Sequence, residues 1–415
     1  MSSLQLELTN SDLGPKPNMG FVAEISRRDE SGKTVPGELR RVTVTTSEPT
    51  IISQINPGNW EVRVFTPQGG VVNRDVTVGE GSQERVQVDI ASKRRRPVSS
   101  TFAVPRIDGG RKTRSFGQKA VFPVFVPASL QSSSVEAGSL GMHDPVWGDW
   151  RLLGEWLAHP TQPLLQESFR VAPADSGPDA PREVSAPNGF SEETRTFAVA
   201  KSRGKRRAHF VATPWKNHAE PRHALIQIVE RQGGGWTSHV SVDDPLYAGL
   251  IGYLAVGAAS TAVELIQSSQ AQIFGDYAGA AISLDLLREK RSSPLGACAA
   301  AYALVASADR ADAMPWRPWV SNLAEWFDWI PDGAIIEARC RILAARTQED
   351  LDACRPFVLN AIARGVPSYT VGIGWLLQIL VHFDEDKFIQ SAIALIRLVA
   401  SKLDMAEPFT TVEIE

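Results

Sequence analysis

The chain has few of the residues that build stapled or metal-centred domains. It holds three cysteines, Cys298, Cys340 and Cys354, in 415 residues. That number excludes a disulfide framework and a zinc site of four cysteines. It lacks a strong charge of either sign: the net charge is −4, which by itself points to neither nucleic acid nor a membrane. No Gly-x-Ser-x-Gly elbow, P-loop, Gly-x-Gly-x-x-Gly turn after a strand or His-Glu-x-x-His helix occurs. No cofactor or metal is expected. The uncharged run Ala248–Val263 is shorter than the ~20 residues a membrane span needs. It is rich in alanine and glycine, and it reads as a buried helix. The opening Met1-Ser-Ser-Leu-Gln-Leu-Glu7 has no basic stretch followed by an apolar one, so no secretory signal is expected and the cytoplasm is the expected compartment.

What is present is a globular composition, 43% hydrophobic and 22% charged. The length suits two or three domains. The near-neutral total conceals a gradient. Residues 1–90 carry 9 basic and 12 acidic side chains, residues 91–242 carry 21 and 13, and residues 243–415 carry 13 and 22. A basic centre and an acidic end point to separate modules. The fold class expected is multidomain α+β: a β-sandwich over 1–91, a basic linker over 92–105, a second β-rich domain over 106–242 and an α-helical domain over 243–408.

In the first ninety residues, apolar and polar side chains alternate through Leu4–Leu8, Phe21–Ile25, Arg41–Thr45, Trp60–Phe65, Val76–Val78 and Val86–Ile90. Period two buries one face of each strand. Turn chemistry fills the gaps, as in Asn56-Pro-Gly-Asn59 and Gly79-Glu-Gly81. Six or seven short strands joined by tight turns imply a β-sandwich. The stretch Ile55–Gly69 (INPGNWEVRVFTPQG), followed by Arg74–Val78 and Val86–Ile90, resembles the carboxypeptidase-regulatory-like sandwiches. The resemblance implies a binding or spacer module without catalysis.

The centre is basic and interrupted. Lys93, Arg94, Arg95 and Arg96 follow the last strand, and Lys205, Arg206 and Arg207 form a second cluster. Clustered cations are what phosphate binding needs. Aromatic residues for base stacking are sparse beside them, so an exposed linker open to trypsin-like cleavage is the preferred reading. A strand is expected at 120–126, a long loop insertion over about 131–190, and strands near 194–201, 207–213, 224–231 and 236–242. His209, His218, His223 and His239 fall in this region at spacings that match no metal motif.

From Leu246 the period lengthens to about 3.6 and alanine and leucine dominate. Helices are expected at 246–269, 271–290, 294–308, 317–329, 333–346, 348–364, 370–382 and 385–403. Ser293-Pro294 and Arg317-Pro318 open helices, Ile330-Pro-Asp-Gly333 closes one, and Gly365 occupies a C-cap position. Short connections imply helical hairpins, similar to a degenerate tetratricopeptide-type array. Four tryptophans crowd this region: Trp316, Trp319, Trp326 and Trp329. They either staple a helix to its neighbours or form a patch that binds a partner. The three cysteines lie within expected helices and read as small buried hydrophobes, not nucleophiles.

The segments Leu286–Leu304 (LLREKRSSPLGACAAAYAL), Trp319–Ala334 (WVSNLAEWFDWIPDGA) and Ala363–Thr370 (ARGVPSYT) resemble helical modules of bacterial proteins linked to caspase-like (including CHAT-type) or trypsin-like peptidases in defence operons. The resemblance implies a non-catalytic scaffold that binds a protein partner. The expected function is therefore a non-enzymatic interaction or regulatory protein, a partner or proteolytic substrate of a caspase-like peptidase. The rival readings are a hydrolase with an unfamiliar site in the second β domain and a nucleic-acid-binding protein using the basic centre.

Overall fold

A computed structural model describes residues 2–9, 20–29, 32–46, 48–65, 71–90, 134–138, 140, 149–159, 165, 170–172, 182–185, 196–201, 208–213, 224–230, 236–242, 245–255, 257, 259, 261–263, 265, 289–291, 293–308, 315–383, 386–405 and 407–414. Strands come first: β1 (Ser2–Thr9), β2 (Gly20–Arg28), β3 (Thr34–Thr45), β4 (Thr50–Ile55), β5 (Gly58–Phe65), β6 (Val71–Val78) and β7 (Gln83–Asp89). Next are β8 (Ser134–Gly138), α1 (Trp150–Ala158), β9 (Arg170–Ala172), β10 (Arg182–Ser185), β11 (Phe197–Lys201), β12 (Ala208–Ala212), β13 (Ala224–Glu230) and β14 (Trp236–Val242). Then come the helices α2 (Pro245–Ala255), α3 (Pro294–Ser307), α4 (Arg317–Trp326), α5 (Pro331–Ala344), α6 (Gln348–Ala363), α7 (Thr370–Leu380) and α8 (Lys387–Ser401), and last a strand, β15 (Thr411–Ile414). The protein is thus a mixed α and β chain, β-rich at its N-terminal side and helical toward its C-terminal side.

Two compact units form, and neither is continuous in sequence. One joins Met1–Val126 to Val242–Ser283, the other Pro127–Ser241 to Leu284–Glu415.

In the first unit β1 lies between β4 and β7, antiparallel to β4 and parallel to β7. A second sheet runs β3-β2-β5-β6, all antiparallel. One apolar cluster draws on both: Leu4, Leu6 and Leu8 of β1, Ile25 of β2, Trp60, Val62 and Val64 of β5, and Val86 and Val88 of β7. The alternation read from the sequence is the alternation observed, buried and partly buried residues taking turns along β1 and β5. The turn before Trp60 needs glycine: Gly58 has φ +140, and a Cβ there would meet the Arg27 side chain at 2.6 Å. The Trp60 indole N–H donates to the Asn56 carbonyl at 2.9 Å and fixes that turn to the core. Helix α2 returns to this unit. Its Tyr253 hydroxyl donates to the Phe65 carbonyl at 2.7 Å and accepts from the Val22 amide at 3.3 Å. The described part of the run from Ala248 therefore buries against strands, as expected for a core helix. No helix among the described residues is long and apolar enough to cross a membrane.

In the second unit the sheets are β15-β12-β11-β8 and β14-β13-β10-β9. Strands β11 to β14 lie near the expected 194–201, 207–213, 224–231 and 236–242. Strand β15 was not foreseen: it pairs antiparallel with β12, Val211 against Thr411 and His209 against Glu413. Helix α5 packs against α3, α4, α6 and α7, and α8 packs against α7 and α1. Where the sequence reading ends a helix with Ile330-Pro-Asp-Gly333, the structure starts one. Pro331 is at the first position of α5 and Asp332 is in its first turn, both favourable there. Gly333 is required by closeness: a Cβ would stand 2.9 Å from the Leu323 carbonyl. The helix expected at 317–329 stops at Trp326, and the one expected at 246–269 is described as a helix over Pro245–Ala255, while other signals stand where expected. Gly365, φ +95, follows α6. Asp386 caps α8, accepting from the Phe388 and Ile389 amides at 2.8 and 3.2 Å.

Candidate functional site

The four tryptophans do not act as one cluster. Helix α4 ends at Trp326, and Phe327 leaves the helical conformation. Trp329 therefore lies in the turn before Pro331 and not on a face shared with Trp319 and Trp326, because the proline needs an extended residue ahead of it. Trp316 is buried at the helix start. Trp319 and Trp329 are half-buried. Trp326 is 50% exposed, one of the few large apolar side chains at the surface among the described residues.

Two cations cover the Trp326 ring. The Lys290 ammonium lies 4.4 Å from its centre and the Arg291 guanidinium 5.2 Å. Both belong to the short turn Glu289–Arg291 that precedes α3. Lys290 is itself buried, with its ammonium donating to the Trp319 carbonyl at 3.4 Å. Burial first, and the neighbouring Arg291 charge second, hold its pKa below the usual lysine value. The result is an aromatic plate fixed under positive charge, inside a region whose sequence is otherwise acidic.

Behind it, Glu337 of α5 is nearly enclosed. It accepts from Arg317 at 2.6 and 2.9 Å, from Ser321 at 3.1 Å and from Arg341 at 2.6 Å. Burial alone would raise its pKa, but the two arginines outweigh burial and hold it below the usual value. This network ties α4 to α5.

A second hub lies outside the residues singled out from the sequence. Asp332, fully buried, accepts from the Tyr302 hydroxyl at 3.0 Å, the Ser368 amide at 2.8 Å and the Tyr369 amide at 3.3 Å. Tyr369 in turn donates to the Leu295 carbonyl at 2.8 Å and stacks on Phe409 at 5.4 Å. The sequence signal was available in Gly365-Val-Pro-Ser-Tyr369, a turn too rich in special residues to be a mere connection.

The thiols are chemically quiet. All three cysteines are buried and free. Burial raises the pKa of each; that of Cys340 is pushed up to about 12. A nucleophile needs the opposite shift.

Of the four histidines in the β-rich centre, His218 and His223 lie outside the described residues. His209 is buried, with Nδ1 3.3 Å from the Ser238 hydroxyl, and His239 Nδ1 lies 2.9 Å from a Glu407 carboxylate oxygen. Ser238 and His239 are adjacent on β14, so the two pairs face opposite sides of the strand. The Ser238–His209 pair is closed to solvent. No group of three or more metal-ligating side chains occurs among the described residues. The basic residues Lys93, Arg94, Arg95, Arg96, Lys205, Arg206 and Arg207, the strand at 120–126, residues 271–288 of the helix expected at 271–290 and most of the 131–190 insertion lie outside the described residues, while Glu289 and Lys290 fall in a short 3-10 turn.

Neither a curated protein nor a solved structure matches this chain. Within it, residues 249–413, from the middle of α2 through the helices to β15, match the family model described as the Y4kD C-terminal domain.

Proposed function

We propose that this chain is a non-enzymatic interaction protein, and that its helical region docks a protein partner through the surface around Trp326. The observation that carries this reading is the half-exposed Trp326 ring held beneath Lys290 and Arg291. Tryptophan and arginine are the side chains most enriched where binding energy concentrates, because they offer large area with few rotamers to freeze. A core staple is not left half in water. Buried, protonated thiols add support against a cysteine nucleophile.

The partner we infer is a caspase-like peptidase of a bacterial defence system. That identity rests on the sequence resemblance alone. On the same footing, the N-terminal sheets act as a carboxypeptidase-regulatory-like sandwich and the helices as a degenerate repeat array. The chain works in the cytoplasm, where free cysteines persist. The test is a pull-down of the purified chain with the products of neighbouring genes, using wild type and Trp326→Ala. Binding lost in a folded variant supports the reading. Absence of binding to any neighbouring product removes it. A variant of the reading makes the chain a substrate, cut near Arg94–Arg96 or Lys205–Arg207; intact chain after incubation with the peptidase removes that variant.

A further inference from the structure

Three cations meet at the end of α4. Lys290 and Arg291 lie over the Trp326 ring, and Arg364 donates to the Ala324, Phe327 and Ile330 carbonyls at 2.6, 3.2 and 3.4 Å. The C-terminal end of a helix carries partial negative charge on its open carbonyls and repels an anion. Arg364 occupies the carbonyls that would do so here. Elsewhere in the helical region arginines are neutralised in place, Arg317 and Arg341 by Glu337 and Arg355 by Asp386. Among the described residues, no carboxylate forms an ion pair with Lys290 or Arg291. Glu325 and Asp328 flank Trp326 in sequence, and neither is paired with either cation.

An exposed arginine ordinarily needs no partner, because water serves it. Two features set this pair of cations apart. Arg291 is exposed, and the ring against it holds a guanidinium that would otherwise sample many rotamers, so less freedom is lost when a partner binds. Lys290 is buried beside it, where salt screens a charge less than at the surface. Trp326 itself is still half open to solvent. The surface therefore offers a large apolar plate with positive charge fixed against it.

We propose that the segment docking on Trp326 is acidic: a peptide stretch of the partner that lays one large apolar side chain on the open part of the ring and sets carboxylates against Arg291 and Lys290. The inference rests on Trp326 being the docking surface. A basic segment would bring like charges onto the two cations, and an uncharged one would cover them without supplying a counter-charge; both are unfavourable. The planar fork of Arg291 gives a carboxylate two parallel N–H donors.

Short labelled peptides that share their apolar residues and carry glutamate, glutamine or lysine at the polar positions, titrated against the full chain by fluorescence anisotropy, test this. The glutamate peptide is expected to bind roughly tenfold tighter than the glutamine one, and the lysine peptide weakest. Salt at about 0.5 M should erase that order. Trp326→Ala should weaken the glutamate peptide roughly tenfold or more. Arg291→Glu, at an exposed position, should abolish the preference for glutamate while the far-UV circular dichroism stays that of wild type. The proposal is overturned if the glutamate peptide binds no tighter than the glutamine one, or if Arg291→Glu keeps the preference. Equal binding of all three peptides, weakened alike by Trp326→Ala, overturns the acidic partner and leaves the docking surface standing. Absence of any binding that depends on Trp326 removes both.

Discussion

The Tyr302 hydroxyl donates a 3.0 Å hydrogen bond to Asp332, joining α3 to the first turn of α5 with both side chains wholly buried. Removing the hydroxyl with Tyr302→Phe leaves the carboxylate with its two backbone donors and should cost about 1.5–3 kcal/mol. Asp332→Ala orphans those donors as well and should cost more, roughly 3 kcal/mol or above. Urea unfolding followed by far-UV circular dichroism measures both. Equal stability of Asp332→Ala and wild type would contradict the hub.

The Glu337 network makes acid stability predictable. Its folded pKa lies below the unfolded value near 4.5. Its contribution is therefore complete above pH ~4.5 and lost as the pH falls through the lower folded value. Glu337→Gln should cost roughly 3 kcal/mol at pH 7, because Arg317 keeps its charge in a largely enclosed place. The penalty should shrink toward pH 3. A penalty that stays constant from pH 7 to 3 would rule this out.

The tryptophans should separate by burial. Trp316→Ala removes a buried ring and should cost roughly 3–5 kcal/mol. Trp326→Ala removes a half-exposed ring and two cation contacts, and should cost about 1–2 kcal/mol. Paired thermal melts give the answer. A larger loss at Trp326 than at Trp316 would make it a core residue after all.

The cysteines should resist thiol reagents in the native state. Each is buried with its thiol held protonated. Titration with a chromogenic disulfide should find no fast-reacting thiol at pH 8 and three after denaturation. A fast-reacting native cysteine would reopen the nucleophile reading.

Strand β15 should matter more than its four residues suggest. Val412 is fully buried and pairs with Phe210. Val412→Asp places a charge there and should cost more than about 3 kcal/mol, read as a drop in the unfolding midpoint. A midpoint unchanged from wild type would mean the strand is dispensable.

Legibility followed pattern strength. Strands β1 and β5 announce themselves because their apolar residues alternate without a break. Strand β4 does not, because Ile51 and Ile52 are neighbours and face opposite ways, one exposed and one buried. Pro331-Asp-Gly333 was misread since the same three residues suit a turn and a helix start; only the close approach of Leu323 decides. The Trp326 surface was named from composition, but which ring stays in water depends on where α4 stops. The buried Gln378 side-chain oxygen, unpaired among the described residues, carries no sequence signal, since such a group is defined by what fails to surround it.

The pairing of Val211 with Thr411 joins residues 200 positions apart. During synthesis, β12 would emerge about 10–40 s before the strand that completes its sheet. Through that interval a strand as apolar as Ala208–Ala212 has an open edge. The second unit is thus exposed to aggregation on the ribosome in a way the N-terminal sheets, whose strands pair within ninety residues, are not.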